Sequence, residues 1–208
     1  MSKKIIFTAV ATLAVLFFSC SRQKYDDPAD YKVGLSENGK TIITTRYVGK
    51  KWRDIYVPPR INGKRVTEIG ESTFADTEIA IVTIPDTITK IGAWSFSGNY
   101  ITQFTIPKKV TEIEVGAFMN NRLSEITIPN SVKKIDYRAF CDNPLTRITI
   151  GKNVELGKIS GYDTEKEAAW VYYTFEQGYE TEFDEVYEAN GRKAGTYVLT
   201  NGAWTLQK

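Results

Sequence analysis

Residues 123–140 read LSEITIPNSVKKIDYRAF, and related segments occur before this one at intervals of 22 residues. The phenylalanine that ends the segment shows the spacing most simply, because Phe74, Phe96, Phe118 and Phe140 are each 22 residues apart. A fixed internal period of about 20–50 residues is typical of proteins whose repeats stack in one direction. The segment therefore predicts a solenoid, and we call each of its turns a rung.

Five further columns of apolar residues keep the same phase. They are Ile69, Ile91, Ile113 and Ile135; Ile79, Ile101, Leu123 and Leu145; Val82, Phe104, Ile126 and Ile148; Ile84, Ile106, Ile128 and Ile150; and Val66, Ile88, Val110, Val132 and Val154. The alternation in Ile126-Thr127-Ile128 predicts a strand with both isoleucines inward, which ends at Pro129 because proline cannot continue a ladder. One rung buries too little apolar surface to offset its conformational entropy, so the stack should fold as a unit.

The pattern Ile-Pro-x-x-Val-x-x-Ile-x-x-x-Ala-Phe, with Asn62–Gly70 in the first rung, resembles the BspA-type leucine-rich repeats of bacterial surface proteins. The resemblance covers roughly residues 55 to 155. It implies an α/β repeat solenoid with a leucine-rich repeat array over residues 56–157. Residues 32–55, with an Asn38-Gly39 turn, resemble the β-hairpin cap that opens such arrays. A fifth rung begins at Gly151, and we expect it to remain incomplete.

Residues 158–208 predict a C-terminal cap made of a helix and a β-hairpin. Aromatic residues recur every four positions, as in a helical stripe: Phe175, Tyr179, Phe183 and Tyr187. Asn190-Gly191 predicts the end of this helix, and Asn201-Gly202 predicts the turn of a hairpin. We expect both elements to cover the open end of the last rung.

The first 31 residues predict an export signal and a flexible tether. Residues 1–19 combine Lys3 and Lys4 with an apolar run, as in a signal peptide. The segment before Cys20 resembles a bacterial lipoprotein box, which implies lipidation of Cys20 and display at the outer membrane or cell surface. There are two alternatives to lipidation. The first segment is an uncleaved membrane anchor, or it is removed by conventional cleavage and Cys20 is an ordinary thiol. Residues 20–31 predict a flexible tether whose aspartates are solvated.

Composition excludes several classes of function. The 208 residues include 27 basic and 25 acidic side chains, two cysteines and no histidine. Histidine-based catalysis and histidine-ligated zinc are therefore excluded, and two cysteines cannot build a four-thiolate site. Lys3 and Lys4 account for the basic excess, so residues 20–208 carry no formal net charge and nucleic-acid binding is not expected. We predict no enzyme activity, no catalytic residue, no metal and no cofactor.

One acidic segment leaves catalysis open. Ten carboxylates lie between Glu155 and Glu188, against Lys158 and Lys166. They are compatible with a cation-binding surface or with a carboxylate pair for glycoside hydrolysis, which needs two carboxyl groups about 5–9.5 Å apart across a cleft. A solvated helix face explains the same residues.

Two surfaces are candidates for binding. Positions that point outward from the predicted strands form a mostly polar ladder on the concave face: Gln103, Thr105, Glu125, Thr127, Arg147 and Thr149. Their mixed charge suits a protein contact, although threonine also occurs in strands for its β-propensity alone. On the turn side, Trp94, Val115 and Tyr137 occupy neighbouring offsets and are either interface anchors or packed against the adjacent turn.

The resemblance implies adhesion to host matrix or to other cells. The expected partners are proteins or extracellular-matrix macromolecules, and glycans are an alternative class. A glycan-binding module and a purely structural envelope protein therefore stay open as functions. We expect a monomer that contacts the membrane only through its lipid anchor.

Overall fold

A computed structural model describes residues 25–50, 54–163, 168–172, 175 and 183–207, which form a solenoid of stacked turns. The strands are β1 (Tyr31–Leu35), β2 (Ile42–Tyr47), β3 (Asp54–Tyr56), β4 (Arg60–Ile61), β5 (Lys64–Ile69), β6 (Ile81–Thr83), β7 (Lys90–Ile91), β8 (Glu112–Ile113), β9 (Glu125–Thr127), β10 (Lys134–Ile135), β11 (Arg147–Ile150), β12 (Glu155–Leu156), β13 (Ile159–Asp163), β14 (Ala168–Tyr172), β15 (Gly195–Thr200) and β16 (Ala203–Leu206). A 3-10 helix spans Pro28–Asp30, and helix α1 spans Phe183–Ala189.

The largest sheet, which we call the long sheet, has the strand order β1-β2-β5-β7-β8-β10-β12, with β4 paired to β5. Strands β1 and β2 are antiparallel, whereas every pair from β2 to β12 is parallel. Strands β7, β8, β10 and β12 contain two residues each. Two residues are too few to show the alternation that predicts a strand, so the sequence analysis missed this sheet.

The strands that the sequence predicted form a separate surface, which we call the strand face. Strand β3 pairs with β6, and β9 pairs with β11, in parallel. Residues 101–107 lie between β6 and β9 in the repeat and form no strand, so the prediction of an unbroken ladder through Gln103 and Thr105 is wrong. We attribute the break to Phe104, which stands in a column of valine and isoleucine. Its large ring packs with its centroid 4.6 Å from that of Phe118 and needs more room than the valine or isoleucine of the other rungs.

The predicted apolar columns form the core. Every residue of the six columns is buried, and the four phenylalanines are fully inaccessible to solvent. Their rings stack from rung to rung with centroids 5.2 Å apart and interplanar angles of 12° or less. The 22-residue spacing therefore corresponds to one continuous stack of phenylalanine side chains.

A ladder of buried asparagines runs beside the phenylalanines. The Oδ1 atoms of Asn99, Asn121 and Asn143 accept hydrogen bonds from the backbone N–H groups of Ile79, Ile101 and Leu123, at 2.9–3.1 Å. Each Nδ2 atom donates to the carbonyl oxygens of two successive phenylalanines in the stack. These amides replace the ladder bonds that the chain lacks where it turns between rungs.

The α/β class is not well matched, although the repeat solenoid is confirmed. Within the described residues there is a single α-helix, and it has seven residues. The segments that connect the strands are turns, because each includes a residue with a left-handed backbone, at φ values from 51° to 60°. These residues are Ser72, Trp94, Gly116 and Arg138. A left-handed residue ends a right-handed helical turn, so no crossover helix forms.

The C-terminal helix begins later than predicted. Phe175 lies outside α1, and its ring stacks on that of Phe140 with the centroids 5.0 Å apart. Phe175 therefore supplies the phenylalanine of the fifth rung, which the sequence analysis expected to stay incomplete. Hairpin β13–β14 is inserted before it, so the spacing from Phe140 is 35 residues instead of 22. Tyr179, which the predicted stripe also included, lies outside the described residues.

Both predicted C-terminal turns are confirmed. Gly191 has φ 67° and its N–H bonds to the Glu188 carbonyl, while the N–H of Arg192 reaches the Tyr187 carbonyl, as in a Schellman motif. Asn201 and Gly202 both have positive φ and join β15 to β16. The aromatic residues of the helix and hairpin form one cluster that extends the core: Phe183, Tyr187, Tyr197 and Trp204.

The N-terminal segment is packed where it is described. Asp26, expected as solvated, is 1% exposed. Its Oδ2 atom accepts from the Tyr31 hydroxyl at 3.2 Å and from the Tyr56 backbone N–H at 2.9 Å. Burial raises the pKa of Tyr31, and the neighbouring Asp26 carboxylate raises this pKa further. Residues 25–31 of the predicted tether thus contact the first rung, whereas residues 1–24 lie outside the described part of the chain.

Candidate binding surfaces

Four of the six strand-face candidates share one ladder. Glu125 and Thr127 on β9 register with Arg147 and Thr149 on β11. Glu125, Thr127 and Arg147 are exposed, so a carboxylate and a guanidinium stand on adjacent rungs. The pair forms a small surface of mixed charge whose backbone is held by the ladder.

The C-terminal hairpin extends this surface. Strand β15 pairs antiparallel with β11, and the hydroxyls of Thr149 and Thr196 lie 2.9 Å apart. The Nη1 atom of Arg147 donates to Oε1 of Gln207 at 3.3 Å. Thr149 is consequently half-buried, and the sheet is wider than the repeat alone would make it.

Gln103 and Thr105 are exposed but border a groove. The groove lies between β6 and residues 102–107, has a volume of about 960 Å³, and we call it the strand-face groove. Among the described residues, no backbone hydrogen bond joins 102–106 to β6. Exposed Ile81 and Tyr56 contribute apolar surface to its lining. The only signal for the groove in the sequence is the aromatic residue at position 104.

The turn-side candidates lie on successive turns. The Trp94 N–H bonds to the Val115 carbonyl, and the Gly116 N–H bonds to the Tyr137 carbonyl. Trp94, Val115 and Tyr137 are all half-buried. A Cβ atom at Gly116 would collide with the Trp94 ring, so this tryptophan packs directly over the next turn. This contact favours the packing interpretation of Trp94 over the interface interpretation.

The long sheet carries a row of charges that the sequence analysis missed. Successive residues in register alternate in sign: Glu68, Lys90, Glu112, Lys134 and Glu155. The Nζ atom of Lys90 lies 2.6 Å from Glu114 and 3.7 Å from Glu112. A hydrogen bond to Glu114 raises the pKa of Lys90, and one to Asp136 raises that of Lys134. Both lysines of the row are paired with carboxylates, and the row keeps an excess of acidic side chains.

Two carboxylates of the acidic segment have internal partners. Asp184 is buried and accepts from the Phe175 N–H at 3.1 Å, and Glu188 pairs with Arg192 at 2.9 Å. They line a hollow of about 450 Å³ together with Leu156, Lys158 and Glu185. The described residues contain no group of three or more carboxylate, cysteine or histidine side chains that could hold a metal ion. They also include no helix long and apolar enough to cross a membrane.

Solved structures similar to this chain are bacterial leucine-rich repeat proteins. The leucine-rich repeat protein of T. pallidum is 21% identical to this chain, with a TM-score of 0.45. The match covers 59% of this chain and 70% of the T. pallidum chain. That of Bacteroides capillosus is 26% identical, covers 62% and 99%, and has a TM-score of 0.49. A leucine-rich cell surface protein from Faecalibacterium prausnitzii is 18% identical, covers 68% and 59%, and has a TM-score of 0.33.

No curated protein matches the chain. The family model described as the BspA type leucine-rich repeat region matches residues 55–162 in six copies. Those residues contain β4 to β12, all but the first residue of β3, and the stacked phenylalanines Phe74, Phe96, Phe118 and Phe140, so the match and the solenoid coincide. The chain belongs to the BspA-type leucine-rich repeat family.

Proposed function

We propose that this chain is a surface-displayed binding module that attaches to macromolecules of the host matrix or of other cells. The observation that carries the proposal is the strand-face groove, where exposed apolar side chains adjoin a ladder of mixed charge. Such a combination is typical of a protein-binding site, which places apolar anchors inside a polar rim. Leucine-rich repeats generally mediate protein binding, and the family assignment supports the same function.

The groove favours an extended segment of a partner protein. The backbone at 102–106 makes no described bond to β6, and β6 has a strand on only one side. An extended peptide that lies along the groove would bond to such backbone groups, while Ile81 and Tyr56 contact its side chains. Glu125 and Arg147 would then select partners by charge. Gln103, Thr105, Thr127 and Thr149 complete the proposed surface.

Charge reversal on the strand face tests this assignment. Glu125→Lys and Arg147→Glu should each weaken capture by immobilised matrix proteins or host cells about tenfold, because each replaces an attractive contact with a repulsive one. Equilibrium binding of the purified chain gives the measurement. Glu37→Lys and Arg46→Glu, which reverse exposed charges on hairpin β1–β2 and its loop, are matched controls and should bind normally. Unchanged binding by both strand-face variants would contradict the assignment.

The terminal elements act as caps in this proposal. Strand β15 occupies the edge of β11, and hairpin β1–β2 extends the long sheet beyond β5. Unpaired sheet edges promote association of chains, so covering them would keep the module monomeric.

We propose that residues 1–19 direct export and that Cys20 carries the lipid that holds the module at the outer membrane or cell surface. A single acyl chain binds a membrane only weakly, whereas the several acyl chains on the cysteine of a lipoprotein anchor it stably. Cys20→Ala should therefore move the protein from the membrane fraction to the soluble fraction, measured by fractionation and immunoblotting. Cys141→Ala is the matched control and should remain with the membrane. Retention of Cys20→Ala would mean that the first segment is an uncleaved anchor.

A further inference from the structure

The turns that follow the strand-face segments line up along one edge of the solenoid, which we call the turn edge. The carbonyl oxygens of Pro85, Pro107 and Pro129 accept the backbone N–H groups three residues later, at 3.0–3.1 Å. In the first rung the Pro59 carbonyl accepts from Val66, which closes a longer turn over residues 60–65. Just after the turns, the N–H groups of Thr89, Thr111 and Lys133 bond to carbonyls of the preceding rung, so equivalent residues of successive turns are neighbours on the surface.

This edge is strongly basic. It presents seven exposed cationic side chains: Arg60, Lys64, Arg65, Lys108, Lys109, Lys133 and Lys152. Lys133 belongs to the edge because its Nζ atom donates to the carbonyl oxygen of Asn130 at 3.2 Å. Across turn residues 60–65, 86–87, 108–109, 130–131 and 152–153, the one acidic residue is Asp86.

The cations of the turn edge are not neutralised within the described part of the chain. The ion pairs described there involve Lys90, Lys134 and Arg192, all outside this edge. Lys64 donates instead to the Gly39 carbonyl at 2.8 Å. Since residues 20–208 carry no formal net charge, the positive potential of this edge arises from segregation of charge and not from an overall excess.

The arrangement is linear and regular. Neighbouring rungs lie about 4.8 Å apart, so the five turns span about 20 Å. Lys64 with Arg65, Lys108 with Lys109, and Lys152 fall on alternate rungs, and their spacing along the axis is about 10 Å. Lys133 adds a cation on the rung between Lys109 and Lys152, so four of the five rungs carry positive charge. A row of this kind matches a linear polymer with repeated negative charges.

The chemistry between the cations narrows the class of polymer. Asn130, Ser131 and Asn153 supply amide and hydroxyl groups that can bond to a hydroxyl-rich chain. No aromatic side chain stands in these turns, so nucleic-acid bases would find no surface to stack on. The apolar side chain there, Ile61, is buried and cannot insert into a bilayer. We propose that the turn edge binds a linear anionic polysaccharide, sulfated or carboxylated, independently of the strand-face groove.

Affinity measurements with defined probes test the proposal. The purified chain should bind heparin or polygalacturonate, but not uncharged dextran, and the affinity should fall steeply with salt. Lys108→Glu combined with Lys109→Glu should weaken binding at least tenfold and make the salt dependence shallower by about two units. The matched control, Lys32→Glu combined with Arg46→Glu, makes the same change in net charge on hairpin β1–β2 and should bind within about twofold of the parent.

Three outcomes would overturn the proposal. They are no binding of the parent chain to either polysaccharide at low salt, an equal loss in the control variant, and tighter binding to single-stranded DNA or to anionic phospholipid vesicles than to the polysaccharides. Thermal unfolding of both double variants checks that each is folded. Glu125→Lys should leave polysaccharide binding intact, which separates failure of this proposal from failure of the strand-face assignment.

Discussion

Phe118→Ala is expected to lower the free energy of unfolding by about 4 kcal/mol. Removal of a fully buried phenyl ring loses its transfer free energy and leaves a cavity that the neighbours fill only in part. The loss is larger here than for an isolated core residue because the ring contacts Phe96, Phe104 and Phe140. The rungs stack as one unit, so the variant should unfold in a single transition at a lower denaturant concentration.

Urea or guanidinium titration followed by circular dichroism measures this change. Tyr100→Ala is the matched control, because Tyr100 is an aromatic residue of the same array but is 45% exposed. Its contact with the Arg122 guanidinium, 4.3 Å from the ring centroid, should be worth no more than about 1 kcal/mol. Equal destabilisation by the two variants, or a loss below about 1 kcal/mol for Phe118→Ala, would contradict a stability that depends on the phenylalanine stack.

Asn121→Ala should cost about 3 kcal/mol, although alanine fits the space easily. The substitution leaves the buried N–H of Ile101 without its acceptor and removes donors from the carbonyls of Phe96 and Phe118. A buried polar group without a partner costs about 1–3 kcal/mol. The Ile101 N–H accounts for most of the loss, because Asn99 and Asn143 still donate to the carbonyls of Phe96 and Phe118. The same denaturant titration gives the value, and amide hydrogen exchange should show the Ile101 N–H opening faster than in the parent chain.

Asn130→Ala provides the comparison for the asparagine ladder. Asn130 is exposed in a turn, and the hydrogen bond described for it uses its backbone carbonyl, not its side chain. We expect a change within about 0.5 kcal/mol there, as for most surface substitutions. If both asparagine variants lost the same stability, the buried amides would not be the bonds that join the rungs.

The sequence predicted those parts of the fold that depend on side-chain identity at a constant period. Phe96, Phe118 and Phe140 could be placed in the core because a ring that is buried in one rung must be buried at the same offset in the next. Phe175 could not be placed in the same way, because the hairpin inserted before it changes the spacing and its four-residue offset from the aromatic stripe of α1 suggests that it belongs to that helix. The long sheet was missed because strands such as Lys90–Ile91 are defined by backbone pairing alone.

The candidate surfaces were predictable in outline and not in detail. Outward positions such as Glu125 and Arg147 follow from alternation within a strand. The half-burial of Thr149 depends on β15, which lies nearly fifty residues away in the chain, and no local pattern reports that contact. The strand-face groove lies beside Phe104, and the absence of a strand at residues 101–107 is visible only in three dimensions. The turn edge arises because turns from distant segments are brought together by stacking.

Hairpin β13–β14 has a consequence for how such arrays change in length. It enters between β12 and Phe175, yet the Phe140 and Phe175 rings stack at the same separation as their predecessors. The rungs are therefore coupled through side chains and not through a constant number of residues. Insertions between the long sheet and the next phenylalanine can accumulate without loss of the core, which makes this position a natural site for evolutionary diversification and for grafting foreign peptides.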